Sequence, residues 1–232
     1  MTTQFDTFIL GLITQIHLPM LADRAIRVIV GLYTFKGYLL IPVLWWMFFQ
    51  PGERREWRRE MALATIASGL VALAVGRFLA HFLPFRLRPI YNPNLHLPFA
   101  TEALRGAALS DWSSFPSDHA MLWMAVSLGI FLVWRGIGTI AMIYTAVVIC
   151  LPRAYLGFHY PTDLLAGAAI GLVITFIMTR DAVRQRTAAP VLRWMLRYPA
   201  PASVVAFLIS FELITQFDDL LRLMHSVIKA IR

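Results

Sequence analysis

The sequence predicts an all-α fold, a polytopic membrane helix bundle of about six transmembrane helices with interfacial amphipathic helices beside them. Three observations carry this. Hydrophobic residues fill 59% of the 232 positions and charged residues only 15%, with a mean hydropathy of +0.66. Soluble domains hold about 45–50% apolar residues and about a quarter charged. The apolar excess falls in blocks of about 20 residues, the length that crosses a bilayer core. Basic residues flank these blocks, as topology signals do. The composition excludes disordered, collagen-like and disulfide-scaffold chains.

Residues 3–20 place Phe5, Phe8, Ile9, Leu12, Ile13 and Ile16 at helical spacing among Gln4, Asp6, Thr7 and Gln15. One apolar and one wet face predict an interfacial helix ending near Pro19. No removable signal peptide is expected, because no basic n-region precedes this segment. A first span over 26–49 closes on the belt Trp45, Trp46, Phe48 and Phe49. Arg54, Arg55, Arg58 and Arg59 in the following loop mark the cytoplasmic side.

A second span is expected over 61–83, then a long polar connection over 84–118, of the kind that is usually functional. Within it Arg86, Glu102, Arg105 and Asp111 read as solvated rather than catalytic. Further spans are expected over 119–134, 137–152 and 163–179, with a sixth over 201–217 weakened by Glu212 and followed by an amphipathic tail from 218 to 232. Alternating crossings put 51–60, Arg135 and 180–197 on one side, with ten arginines between them. The connections 84–118 and 153–162 then share the opposite, outer face. No repeat divides the chain, so residues 1–232 read as a single domain with a core at about 25–180.

The net charge is +8 and Lys36 and Lys229 are the only lysines. In a soluble chain that balance would suggest nucleic acid. Here the arginines border apolar blocks, so lipid head groups are the expected partners and nucleic acid is not. Cys150 is the single cysteine and rules out an intrachain disulfide.

Chemistry-bearing residues concentrate in the outer connections. His81, Arg86, Arg88 and Pro89 open the first, and Pro116-Ser117-Asp118-His119 closes it. The second holds Arg153, His159 and Asp163. Ionisable groups at span ends usually face a cavity or one another. Arginine presents a planar fork of donors to phosphate oxygens, which makes Arg88 and Arg153 natural clamps. Ser117 and His119 open a helix, whose first N–H groups favour an anion. Asp163 follows His159 by four residues, within reach of a ring N–H, so it would fix the tautomer and free the other nitrogen to attack.

Each residue has a bland alternative. Arg88 alone would serve as well as a snorkelling interfacial cation. His159 with Asp163 would serve as a structural pair. Lys36 and Arg77 divide evenly between packing and a substrate channel. A metal site built on His119, His159 and Asp163 leaves the arginines without a role and sets cation beside cation. Three spaced clusters on one face favour a phosphate site over all of these.

These motifs resemble the three-part signature of the type 2 phosphatidic-acid phosphatase superfamily, whose pattern is Lys-x6-Arg-Pro, Pro-Ser-Gly-His and Ser-Arg-x5-His-x3-Asp. The chain reads His81-x6-Arg88-Pro89, Pro116-Ser117-Asp118-His119 and Arg153-x5-His159-x3-Asp163. It departs from the pattern at His81, Asp118 and Pro152. The Pro-Ser-Asp-His form is similar to bacterial undecaprenyl-diphosphate phosphatases of the bacitracin-resistance type. The resemblance implies a six-helix membrane lipid phosphatase of the bacterial inner membrane, acting on a phospholipid or isoprenoid (di)phosphate at the exterior face without metal or other cofactor. It implies His159 as nucleophile forming a phosphohistidine, Asp163 as its orienter, and His119 as acid and then base. Arg88, Arg153, Ser117 and His81 would bind phosphoryl oxygens, with Arg77 or Arg86 as substitutes for His81. Phosphatidate, phosphatidylglycerophosphate or lipid A would suit the same residues. A lipid-phosphate carrier would use the cations without turnover.

Overall fold

A computed structural model describes residues 2–16, 18–95, 97, 99, 112–218 and 223. Glu102, Arg105, Asp111 and most of the expected amphipathic tail lie outside the described residues. Every regular element among those described is helical. Three helices are long and apolar enough to cross a membrane, spanning Arg55–Phe82, Arg135–Tyr155 and Pro161–Met178. The other three expected spans are shorter apolar helices of 13, 16 and 17 residues.

Helix α1 (Gln4–Thr14) starts on a capping box in which Thr3 Oγ accepts from the Asp6 N–H at 3.1 Å and the Asp6 carboxylate accepts from the Thr3 N–H at 3.3 Å. Of the residues expected on its wet face, Gln4, Thr7 and Gln15 are exposed but Asp6 is not. Asp6 is fully buried with Leu10, while Phe5, Phe8 and Leu12 point outward. The helix therefore turns one carboxylate inward and several apolar side chains outward, as suits a lipid surround.

The span expected over 26–49 is two helices. Helix α2 (Met20–Gly31) stops at Leu32, a 3₁₀ turn covers Tyr33–Phe35, and α3 (Gly37–Phe49) restarts after Lys36. Gly37 fits there because a Cβ would come within 2.9 Å of both Trp123 and Ile214. Lys36 is thereby turned inward and buried.

Helix α4 (Arg55–Phe82) buries a stripe of small residues, including Ala64, Ser68, Ala72 and Gly76. Ser68 and Thr65 satisfy their hydroxyls on the carbonyls of Ala64 and Met61, so the stripe is polar-neutral. Small surfaces let helices approach where lipid removes the hydrophobic incentive to pack. Helix α5 (Asp118–Val133) fills the centre, packing chiefly on α4 and on the later helix α7 (Pro161–Met178). The α5–α7 approach is close because α7 offers Gly167 and Gly171. A Cβ at either would lie 2.5 Å from the Ser117 carbonyl and 2.1 Å from that of Met121.

Helix α6 (Arg135–Tyr155) widens into a π-helical stretch at Thr145–Cys150, just before Pro152. Proline lacks an N–H to continue the ladder, and a wider turn absorbs that loss. The buried hydroxyls of Thr145 and Ser127 close this region onto α5 at 2.8 Å.

The basic stretch after α7 is itself a helix, α8 (Asp181–Arg197), packed on α4. Arg184 is not a lipid-facing charge: it is buried, with Nε donating to Glu60 at 2.9 Å and Nη1 paired with Asp181 at 2.8 Å. Helix α9 (Pro199–Thr215) follows, tied to α3 where Trp45 Nε1 donates to Ser210 Oγ at 3.0 Å. It ends where Gln216 turns left-handed at φ 57°.

Candidate active site

The C-terminal ends of α4 and α6 and the N-terminal ends of α5 and α7 meet at one end of the bundle. The connection after α4 is stapled to the turn before α7 by the Ile90 N–H donating to the Gly157 carbonyl at 2.9 Å. Gly157 holds φ +72°, a conformation that favours glycine. This staple sets Arg88 against His159.

His159 is 3% exposed. Its Nδ1 lies 2.8 Å from the Ser114 carbonyl, and its Nε2 lies 3.3 Å from Arg88 Nη1. A carbonyl only accepts and a guanidinium only donates, so the proton sits on Nδ1 and the lone pair on Nε2. Burial first, and the Arg88 charge second, hold this imidazole well below its ordinary pKa. The ring is held neutral, with its Nε2 lone pair facing the Arg88 guanidinium. Burial likewise lowers Arg88, which also donates to the Phe158 carbonyl at 3.0 Å.

Asp163 departs from its expected placement. Its Oδ2 is 3.9 Å from His159 Nδ1, beyond a hydrogen bond, and instead accepts from the Tyr160 N–H at 2.8 Å. Its Oδ1 pairs with Arg86 Nη1. The Ser114 carbonyl fixes the imidazole tautomer, and Asp163 fixes the turn that carries it. A main-chain acceptor leaves no mark in a side-chain pattern.

Arg86 is not the solvated loop residue expected: it is largely buried and engaged on both sides. Its Nη2 donates to Asp6 at 2.6 Å and its Nη1 to Thr162 Oγ1 at 2.9 Å, with the guanidinium 4.1 Å over the Tyr160 ring. Asp6 completes the knot by accepting from the Thr162 N–H at 3.0 Å. Arg86 is therefore a strut between two carboxylates, and α1 is bolted to the start of α7.

His119 opens α5. Its Nδ1 lies 2.9 Å from Asp118 Oδ1, whereas its Nε2 is buried with no hydrogen-bond partner among the described residues. The carboxylate that departs from the family's glycine is thus the group that orients this imidazole. Its role was legible only as a variant letter in the motif. Ser117 is fully buried as the N-cap, with Oγ accepting from Ala120 at 3.5 Å. Its own N–H goes to the Asp163 carbonyl at 3.1 Å, tying the two motifs together.

Arg153 is 5% exposed, and among the described residues its side chain makes one hydrogen bond, to the Ile149 carbonyl at 3.3 Å. It makes no ion pair among the described residues. A buried guanidinium with donors to spare is set up for an anion. His81 stands apart, exposed at the end of α4, edge-on to Phe82 and lining a cavity of about 240 Å³ with Trp112 and Ser113. Arg77 is used elsewhere, donating to the Gln216 carbonyl and to Asp218 at 3.2 Å. Among the described residues no cluster of three metal-ligating side chains forms.

Two imidazoles with opposed hydrogen-bonding states lie with buried guanidinium groups at a helix start in a membrane helical bundle, an arrangement with the positive charge that phosphoryl transfer needs. Residues 57–187 match the PAP2 superfamily, and the chain belongs to it. It is 32% identical to YbjG of Escherichia coli over 157 residues, covering 67% of this chain and 70% of that one. It is 27% identical over 158 residues to the undecaprenyl-diphosphatase BcrC of Bacillus subtilis, covering 67% and 73%. Among solved structures, LpxE of Aquifex aeolicus is similar at 24% identity and a TM-score of 0.48, covering 74% of this chain and 92% of that one. The chain is a membrane-embedded phosphatase of this superfamily, acting on lipid phosphates.

Proposed function

We propose that the chain hydrolyses undecaprenyl diphosphate to undecaprenyl phosphate and inorganic phosphate at the outer face of a bacterial inner membrane. The observation that carries it is the neutral His159 with its Nε2 lone pair turned to Arg88. The relatives named undecaprenyl-diphosphatase support the choice of lipid. The ten arginines at the far end of the bundle support the outward orientation of the site.

The terminal phosphoryl group sits between Arg88 and Arg153, with the Ser117 end of α5 beside it. His159 Nε2 attacks phosphorus in line, the P–O bond to the lipid phosphate breaks, and His119 gives the leaving oxygen a proton. His119 then takes a proton from water, which attacks phosphorus, cleaves the P–N bond and releases inorganic phosphate. Phosphoryl transfer of this kind needs mainly positioning and charge neutralisation, which two arginines supply.

The test is phosphate release by purified protein in detergent from a panel of undecaprenyl diphosphate, phosphatidate, phosphatidylglycerophosphate and lipid A. Undecaprenyl diphosphate is expected to turn over fastest, and His159→Ala to abolish release. Turnover that survives in His159→Ala removes the nucleophile assignment. Binding without release by the wild type makes the chain a carrier.

A further inference from the structure

His81 leaves the site one cation short of the family pattern, and a different element supplies a cation. Lys36, at the break between α2 and α3, is 6% exposed, and its ammonium makes no hydrogen bond or ion pair among the described residues. Its Nζ lies 4.8 Å over the ring of Tyr33, whose hydroxyl donates to Asp218 at 2.9 Å. Burying an ammonium without a partner is costly, so an anion that completes it is the economical reason for its place.

The position of Lys36 is specific. Its neighbour Gly37 abuts Trp123, one turn beyond His119 on the same face of α5. Arg153, Asp218 and Asp118 are the charges that act on Lys36, and it acts in turn on His119. The Gly37 contact with Trp123 puts Lys36 on the His119 side of the site. This side is also the accessible one, since 30% of the Asp118 side chain and 16% of the His119 side chain remain open.

In-line transfer sends the leaving oxygen away from His159. For a lipid diphosphate, the leaving group is itself a phosphate that gains charge as the P–O bond breaks. We propose that Lys36 binds this lipid-linked phosphate and makes the site selective for diphosphates over monophosphates. The assignment rests on the phosphohistidine reading above and adds a second phosphate subsite to it.

Two measurements separate the assignment from that reading. The first is binding of an isoprenyl methylenediphosphonate and of an isoprenyl monophosphonate to His159→Ala protein, with and without Lys36→Met. The diphosphonate is expected to lose about 10- to 100-fold in affinity with Lys36→Met, the monophosphonate no more than about threefold, and Lys36→Arg to restore most of the loss. Equal losses for both ligands, or none, in a variant with an unchanged unfolding temperature overturn the subsite. The second is phosphate release by wild-type protein from an isoprenyl diphosphate. Its absence overturns the parent reading, while the binding comparison still decides the role of Lys36.

Discussion

His159 and His119 are chemically alike and held in opposite ways. His159 gives its Nδ1 proton to a carbonyl and keeps a neutral ring. His119 has a carboxylate on Nδ1 and an unused Nε2. Because the folded His159 pKa is lowered below about 6.5, its ordinary value, the ring stays uncharged through neutral pH. Nitrogen-15 NMR of the imidazoles should show an Nδ1–H tautomer that persists as the pH falls through 6.5. A ring protonating above that value would contradict the geometry. Folding linkage has the same sign: below pH 6.5 the unfolded chain takes up the proton first, so this residue subtracts stability as acid is added. Asp118→Asn should lower kcat by about tenfold to a hundredfold, less than the about 100- to 10,000-fold expected for losing an acid–base group outright. Steady-state rates of Asp118→Asn beside His119→Ala would check the order. Asp118 was visible beforehand only as a departure from glycine, since its bond to the adjacent ring depends on the helix start.

Helix α1 shows how an element can be found and still be misread. Periodicity located its start within a residue, ran it about five residues too far, and assigned Asp6 to water. A buried carboxylate and a solvated one occupy the same helical position in a sequence. Only the partners, Arg86 and Thr162, distinguish them, and they lie 80 and 156 residues away. Removing one member of such a buried knot costs about 3 kcal/mol or more. Asp6→Ala should therefore lower the thermal unfolding temperature in detergent and reduce turnover through Arg86 and Asp163. An unchanged melting curve would mean the knot is ornamental. On α7, Gly167→Val should displace the Ser117 carbonyl and eliminate activity while the protein still inserts, because the added carbons meet backbone. The break at 32–36 escaped notice for a different reason. Leu32, Tyr33 and Phe35 are as apolar as a continuous span, and hydropathy does not register a change in backbone direction.

For the whole molecule, the convergence of three distant motifs on one end of the bundle was legible, because alternate crossings set the parity of each connection. The same parity makes a prediction about orientation. With native Cys150 buried, single cysteines introduced at Glu53 and Asn94 should react with an impermeant maleimide from opposite sides of the membrane. Labelling of both from one side would refute the alternation. Less legible was the lateral arrangement. Nothing in composition places α8 on α4, since the pairing of Arg184 with Glu60 reaches across 124 positions.

The fastening of Asp6 to Thr162 also sets a schedule for biogenesis. Helix α1 packs on α5 and α6 through Leu10, but the bonds that lock Asp6 in place wait for the start of α7. Until then Arg86 has Asp6 but lacks Asp163, and the turn bearing His159 is without that brace. Nascent chains halted anywhere before Thr162 should hence be catalytically silent, and competence should arrive only once α7 has been made.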